Sequence, residues 1–388
     1  MNNFQYYQPT QILFGSGWVN DVGSAVARFG KRCLIVSGPS DSSLKGVYQI
    51  IKNSLEKARV ESVHFDEVLP NPTIACADRG SALARKEKTD VVLGVGGGSS
   101  MDTAKAIAVG ATHEGSVWDY LFFRETQPTE KTLPVVAVTT TSGTGSQVTQ
   151  ASVITESRSR TKSALFHPLL YPKVAVVDPE FMVTVPHHVT ASTGFDAFCH
   201  AFEAYLHPAS SAYTNLLALQ AIRIIIANLP RVLAKADDLE ARSNLAWADT
   251  LAGLCIANAG VTLPHGIGMT IGGVCPQVMH GEALAVTYPE FTRFTCGSAP
   301  EKFAKVGTFF NSELAREPVS RAAERSCDEL DSFLKEIGMW LSLESLGVPE
   351  SEIPYIADHS RDLPDYKNNP RIADREEIYG MLLRSYRR

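Results

Sequence analysis

Through the first half of the chain, short β-branched runs alternate with longer stretches whose apolar positions recur at helical spacing. Residues 32–36 (RCLIV), 90–94 (DVVLG), 134–139 (PVVAVT) and 174–177 (VAVV) predict buried strands. Residues 43–57 and 73–88 predict helices with charge on one face. Strands alternating with helices imply βαβ units and a mostly parallel sheet. Residues 152–155 and 163–166 flank the polar run ESRSRTK and predict a hairpin beside that sheet. From Pro186 onward the strand pattern stops, and residues 191–206, 212–227, 239–257, 322–337 and 374–386 all read as helices. The texture changes across VDPEFMVTVPHH. The expected architecture is therefore an α/β domain over residues 1–184 and an all-helical domain over 185–388. A cleft between two such domains is where a cofactor and a small substrate are expected to meet.

A length of 388 residues agrees with two domains. The formal net charge is −6 with no basic block, so neither nucleic acid nor an anionic membrane surface is an expected partner. No basic segment followed by an apolar stretch opens the chain, and no apolar run reads as the roughly 20 residues that a membrane span needs. The seven cysteines (Cys33, Cys76, Cys199, Cys255, Cys275, Cys296 and Cys327) include no CxxC pair. That spacing argues against a disulfide framework or a cysteine zinc site and suits the cytoplasm.

Chemistry enters with DVVLGVGGGSSMDTAKAIAV, residues 90–109. A buried strand runs into Gly96, Gly97 and Gly98, and a helix is expected from Ser99 or Ser100. Glycines let the backbone approach a ligand, and the free N–H groups of a helix start favour a phosphate. The competing reading is a tight turn without a ligand. TTTSGTGSQVTQ, residues 139–150, offers hydroxyl donors at a second strand end, either along a dinucleotide or on a polar surface turn. Two such loops after two parallel strands favour the dinucleotide.

Asp196 and His200 stand four apart in TGFDAFCHAFEAY, so a helix puts both on one face. His265 and His280 each precede a glycine. One carboxylate and three imidazoles suit Fe²⁺ or Zn²⁺. An isolated Asp-x-x-x-His pair is equally read as an acid near a helix start with a neighbouring histidine. His113, His187, His188, His207 and His359 are assigned to the surface or to loops.

Taken together, GGGSSMDTAKA, TTTSGTGSQVT, GFDAFCHAFEAY and the tail NNPRIADREEIYGMLLRSYRR resemble the iron-containing (group III) alcohol dehydrogenases over nearly the whole chain. The resemblance implies a dehydroquinate synthase-like fold, with the α/β domain binding a dinucleotide and the helical domain a catalytic metal, and hydride transfer between NAD(P)H and a small alcohol or aldehyde. It assigns Asp196, His200, His265 and His280 to one divalent metal, Fe²⁺ first and Zn²⁺ second, acting as a Lewis acid on the substrate oxygen. It places Gly97, Gly98, Ser99 and Asp102 on the cofactor, with Thr139, Thr140, Ser142 and Thr144 along it and Lys162 towards the ribose. It further implies a homodimer or larger homo-oligomer.

Four departures from the family pattern stand out. Met269 replaces a pocket histidine one helical turn after His265, the interval from His265 to His280 is one residue longer, Met279 replaces a proline, and Gln147 replaces a glutamate. Methionine is a flexible apolar filler and carries no catalytic proton, so Met269 points to an apolar substrate pocket. NAD-preferring members place an aspartate at about Gly38, where it repels a 2′-phosphate. Here Gly38 and Ser40 leave room, with Asp41 close by, so NADP(H) is expected to be tolerated or preferred. The missing histidine also keeps a hydroxyacid–oxoacid transhydrogenase with tightly held cofactor as the alternative.

Overall fold

The computed structural model describes residues 3–40 and 44–388, so Asp41 lies outside the described residues. The strands are β1 (Gln11–Phe14), β2 (Arg32–Ser37), β3 (Glu61–Phe65), β4 (Val91–Gly96), β5 (Val135–Thr139), β6 (Ala151–Glu156), β7 (Thr161–Phe166) and β8 (Val174–Val177). Six of them form one sheet in the order β1-β8-β5-β4-β2-β3, parallel throughout. β6 and β7 pair antiparallel as a separate hairpin, with Ala151 opposite Phe166.

The central strands are apolar on both faces because helices cover both, as parallel sheets require. Cys33 and Ile35 of β2 face Ile51 and Leu55 of the helix α2 (Lys45–Lys57), while Leu34 and Val36 face Ala104 and Ile107 of α4 (Gly98–Gly110). In chain order the helices of this domain are α1 (Val22–Ala27), α2 (Lys45–Lys57), α3 (Ile74–Lys86) and α4 (Gly98–Gly110). Two strands carry no buried-strand pattern in the sequence, although the run around His64 is strand-like. β1 and β3 lie at the two edges of the sheet and are partly exposed, so neither carries the continuous apolar run of a buried parallel strand.

No strand follows β8 among the described residues. The second domain is built from α5 (His187–Leu206), α6 (Ala212–Ala234), α7 (Leu239–Asn258), α8 (Leu263–Val274), α9 (His280–Thr295), α10 (Pro300–Phe310), α11 (Val319–Glu336), α12 (Ile353–His359) and α13 (Arg375–Tyr386). By length and composition, and contrary to the sequence reading, α6 is apolar enough to cross a membrane. It also carries Arg223, Asn228 and Arg231, and it packs against α5, where a Cβ added to Gly194 would lie 2.6 Å from Leu229.

By its contacts the chain divides into two compact units. The sheet unit spans Tyr7–Val185 and also takes in Asp237–Ala246 from the start of α7. There Ala246 packs on Val177 and Met182, and Arg242 donates to the Val185 carbonyl at 3.4 Å. The helical unit takes the remainder, including Tyr6, whose ring meets Tyr213 edge-on at 4.5 Å.

Candidate functional site

In the sheet domain the glycine run behaves as a cradle. β4 ends at Gly96, whose φ of +144° is a conformation that favours glycine. Gly97 precedes α4 in extended geometry, and no side chain caps the helix start. The second loop folds over it. Thr140 N donates to Gly96 O at 3.0 Å, and Cβ atoms added at Gly97 and Gly98 would lie 3.0 Å from Thr141 and 2.6 Å from Thr144. The glycines thus serve loop packing as well as any close approach by a ligand.

The structure engages several of the expected cofactor residues with protein partners. Asp102 accepts from the Ser146 hydroxyl at 2.6 Å and from Val153 N at 3.0 Å, bracing the first loop to the second and to β6. Beneath it, fully buried Lys105 donates to Ser146 O at 2.8 Å and Ala151 O at 2.7 Å, and lies 3.9 Å from Asp102. Burial pushes the Lys105 ammonium down to about 8, against the pull of Asp102. Gln147 is fully buried, where a neutral amide avoids burying another charge.

Thr139 Oγ1 donates to Thr141 O at 2.9 Å, Ser142 Oγ to Met182 Sδ at 3.1 Å, and Lys162 Nζ to Asn71 Oδ1 at 2.9 Å. Ser99, Ser142 and Thr144 are each only partly buried. Near Gly38 and Ser40, one group escaped the sequence reading. Asp66 follows β3, and its hydrogen bond from Ser40 holds its carboxyl below the usual range. The signal was an acid directly after the strand beside β2.

The second site lies wholly within the helical domain. Asp196 and His200 stand on α5, His265 in the first turn of α8, and His280 as the first residue of α9. Asp196 Oδ1 faces three imidazoles: it lies 3.7 Å from His200 Nε2 and 3.9 Å from Nε2 of both His265 and His280. Ligand atoms of Asp196, His265 and His280 all fall within 4.8 Å of one another. His200 joins through Asp196 and by stacking on His265, with ring centroids 4.7 Å apart. Nitrogen and oxygen ligands at about 2.1 Å from a cation stand about 3.4 Å apart in a tetrahedron, so this cluster is slightly open but of the right size.

A further residue completes the cluster and was missed in the sequence. Glu203 is fully buried and its Oε1 lies 2.8 Å from His265 Nδ1, which leaves His265 Nε2 for the centre. A partner of this kind fixes the tautomer and orientation of a metal-binding imidazole. Glu203 also accepts from Thr262 N at 2.8 Å and Thr262 Oγ1 at 3.2 Å. Burial pushes its carboxyl up to about 8. The signal was present, since Glu203 falls seven residues after Asp196 and so on the same helix face.

Asp365, on the short turn Pro364–Asn368 after α12, is pushed up to about 7 by burial and then by Glu203. Met269 is nearly buried one turn after His265 on α8, so the expected continuation of the helix through HGIGM is present. Met279 has φ −68°, a value proline would also adopt, but it keeps an N–H that donates to Glu282 Oε2 at 2.9 Å. His207, expected at the surface or in a loop, sits in the turn after α5 but is buried, which pushes its imidazole down to about 4.

Residues 9–179 match the iron-containing alcohol dehydrogenase family, and residues 190–386 match the C-terminal part of the Fe-containing alcohol dehydrogenase family. The chain is 36% identical to a choline dehydrogenase of Bacillus subtilis, over 98% of this chain and 95% of that one. It is 33% identical to an NAD-dependent methanol dehydrogenase of Bacillus methanolicus, over 97% and 98% of the two chains. A crystal structure of an archaeal halo-thermophilic alcohol dehydrogenase from a Red Sea brine pool superposes with a TM-score of 0.94 at 33% identity, covering 99% of this chain and all of that one. An aspartate ringed by three histidines in a helical domain, a glycine-led cradle on a parallel sheet, and likeness along the whole chain lead to one assignment: the protein belongs to the iron-containing alcohol dehydrogenase family.

Proposed function

We propose that the protein oxidises small primary alcohols, or reduces the matching aldehydes, with NAD(H) and one divalent metal held by Asp196, His200, His265 and His280. The observation that carries the reading is the Asp196 carboxylate facing three imidazole nitrogens at 3.7–3.9 Å. A cation bound there supplies Lewis-acid polarisation of the substrate oxygen, and bound nicotinamide supplies or accepts the hydride. In this reading Glu203 holds His265 in the ligating tautomer. Gly97, Gly98 and Ser99 present backbone to the pyrophosphate, with Asp102 and Lys105 keeping the two loops in register. Thr139, Thr140, Ser142 and Thr144 line the cofactor loop, and Lys162 stands towards the ribose. The metal is proposed as Fe²⁺, with Zn²⁺ as the other candidate, and the enzyme as a cytoplasmic homodimer or larger homo-oligomer.

The relatives are alcohol dehydrogenases, which does not favour the transhydrogenase reading. Metal-loaded protein is expected to reduce NAD⁺ with some member of a panel of methanol, butanol, 1,3-propanediol and choline. Choline belongs there because it is the substrate named for a relative. Failure of every alcohol and aldehyde to turn over external cofactor would refute the proposal.

For the cradle, Gly97→Ala is expected to keep the fold, since Thr141 has only to give by a few tenths of an ångström to admit a Cβ. Nucleotide affinity should fall about tenfold or more, equal to at least about 1.4 kcal/mol, with metal content unchanged. Calorimetric titration of NADH into the variant reads this directly; wild-type affinity would leave the glycines a purely structural turn.

We further propose that NADP(H) is accepted beside NAD(H). Gly38 leaves space, with Val68 O the nearest atom to an added Cβ at 3.5 Å, whereas Asp66 sets a carboxylate beside Ser40 and so favours NAD. Gly38→Asp is expected to lower kcat/KM for NADP⁺ relative to NAD⁺ about tenfold, through repulsion of the 2′-phosphate. An unchanged ratio would detach Gly38 from cofactor choice.

At Met269 the proposal is an apolar wall of the substrate pocket. Met269→His should keep the metal while lowering kcat/KM on butanol relative to 1,2-propanediol. Equal effects on the two substrates would place the side chain in the packing of α8 alone.

A further inference from the structure

α9 ends at Thr295 and passes into the short turn Cys296–Ser298. One helical turn earlier, Arg293 clamps this end of α9 to α11. Its Nη2 lies 2.6 Å from Asp331 Oδ2 and 3.2 Å from Asp328 Oδ1. Cys327 immediately precedes Asp328 and stands one turn before Asp331, on the face of α11 that the clamp holds. The turn that carries Cys296 packs on α11, so two cysteines 31 positions apart in the chain come together, each thiol donating to its own helix: Cys296 Sγ to Arg293 O at 3.6 Å and Cys327 Sγ to Ala323 O at 3.7 Å.

Both cysteines line a cavity of about 510 Å³, together with Arg293, Glu324, Asp328 and Arg371. Cys296 is 8% and Cys327 3% exposed, so a small solute in that cavity can reach them while a protein thiol cannot. Its neighbour Cys327 draws the Cys296 thiol down against the effect of burial, while Cys296 and burial together drive Cys327 up. Cys33, Cys76, Cys199 and Cys255 are instead pushed up by burial and remain thiols. Two cysteines on one cavity, the more exposed Cys296 beside the more deeply buried Cys327, form the arrangement in which the first reacts and the second resolves.

We propose that Cys296 and Cys327 form a dithiol that small hydroperoxides convert into an intramolecular disulfide. The Cys296 thiolate sulfur attacks the nearer peroxide oxygen and the O–O bond breaks. With hydrogen peroxide, the departing hydroxide takes a proton and leaves as water, and Cys296 carries a sulfenic acid. The Cys327 sulfur then attacks Cys296 Sγ, the S–S bond forms and the S–O bond breaks. The second hydroxide leaves as water with the Cys327 proton. Two thiols lose two electrons and the peroxide gains them. None of the four residues around the candidate metal takes part, so the site is independent of the proposed dehydrogenase chemistry.

The test uses the full chain loaded with Zn²⁺, which has no redox chemistry of its own with peroxide. After brief exposure to hydrogen peroxide the sample is quenched in acid, unfolded, alkylated and mapped by mass spectrometry without reductant. The expected product is a single cross-linked peptide pair containing Cys296 and Cys327, two hydrogens lighter than its parts, and restored by dithiothreitol. Cys33, Cys76, Cys199, Cys255 and Cys275 should remain fully alkylated. In Cys327→Ser protein, dimedone should trap a sulfenic acid at Cys296 and no cross-link should form. If that variant does not fold, the wild-type map decides alone. Unchanged alkylation of Cys296 and Cys327, a sulfinic acid at Cys296 without a cross-link, or a link between any other pair would overturn the proposal.

Discussion

His265→Ala protein is expected to purify folded, without its divalent metal, and with activity lost by at least about a thousand-fold. Removing one oxyanion-type donor already costs about 10²–10³ in kcat, and here the group that concentrates the positive charge goes as well. His265 occupies the middle of the cluster: its Nε2 faces Asp196 at 3.9 Å, its ring stacks on His200 and meets His280 at 5.1 Å, and its Nδ1 holds Glu203. The fold should survive because α8 is anchored elsewhere, by fully buried Leu263, Ile267 and Ile271. A graded companion is Glu203→Gln. Its amide can donate as well as accept and so no longer fixes the His265 tautomer, and metal affinity should fall about 10–100-fold with partial activity retained. Plasma mass spectrometry of metal per chain, measured beside turnover, distinguishes the two variants. His265→Ala protein that holds one metal per chain and turns over after exhaustive chelation would remove the site from this cluster.

Much of this arrangement was legible in the sequence because it rests on local periodicity. The pairing of Asp196 with His200 follows from helical spacing, and the buried strands β2, β4, β5 and β8 from uninterrupted apolar runs. Glu203 was equally local but was passed over, because a lone acid on an apolar face gives no hint of its partner until Thr262 and His265 are brought up against it. The roles of Asp102 and Lys105 were hidden for a different reason. Their partners Ser146, Ala151 and Val153 come from another βα unit, so their contacts depend on how β4 and β5 are paired. β1 and β3 lacked the continuous apolar run of a buried strand, because an edge strand exposes one side; only a short strand-like run around His64 marked β3. α8 and α9 were obscured by composition. Four glycines in the first and Pro289 in the second weaken the helical pattern over the segments that carry His265 and His280. In both segments packing overrides propensity.

The glycine after His280 shows what that packing demands. A Cβ placed on Gly281 would stand 2.0 Å from the carbonyl oxygen of Ser192 and 2.7 Å from its carbonyl carbon. Ordinary contact needs about 3.4 Å, so the first turn of α9 has to retreat from α5 by about 1.4 Å. Ser192 stands one turn before Asp196 on α5, and Gly281 is bonded to His280. The retreat therefore opens the 3.9 Å separation between Asp196 Oδ1 and His280 Nε2. Gly281→Ala is expected to destabilise the helical domain by about 1–3 kcal/mol, the usual cost of overpacking. It should also lower activity about 100-fold, as a displacement of about 1 Å at a reacting centre does. No trimming of the neighbour relieves this, because the obstructing atoms belong to the main chain; Ser192→Gly in the same protein removes only the hydroxyl. Gly297→Ala is the matched control, since a Cβ there meets nothing within 4 Å, and its stability should stay within about 0.5 kcal/mol of wild type. Thermal unfolding and metal titration of the two variants provide the comparison. If Gly281→Ala binds metal and melts as Gly297→Ala does, then α9 has room to slide on α5 and the placement of His280 does not depend on this contact.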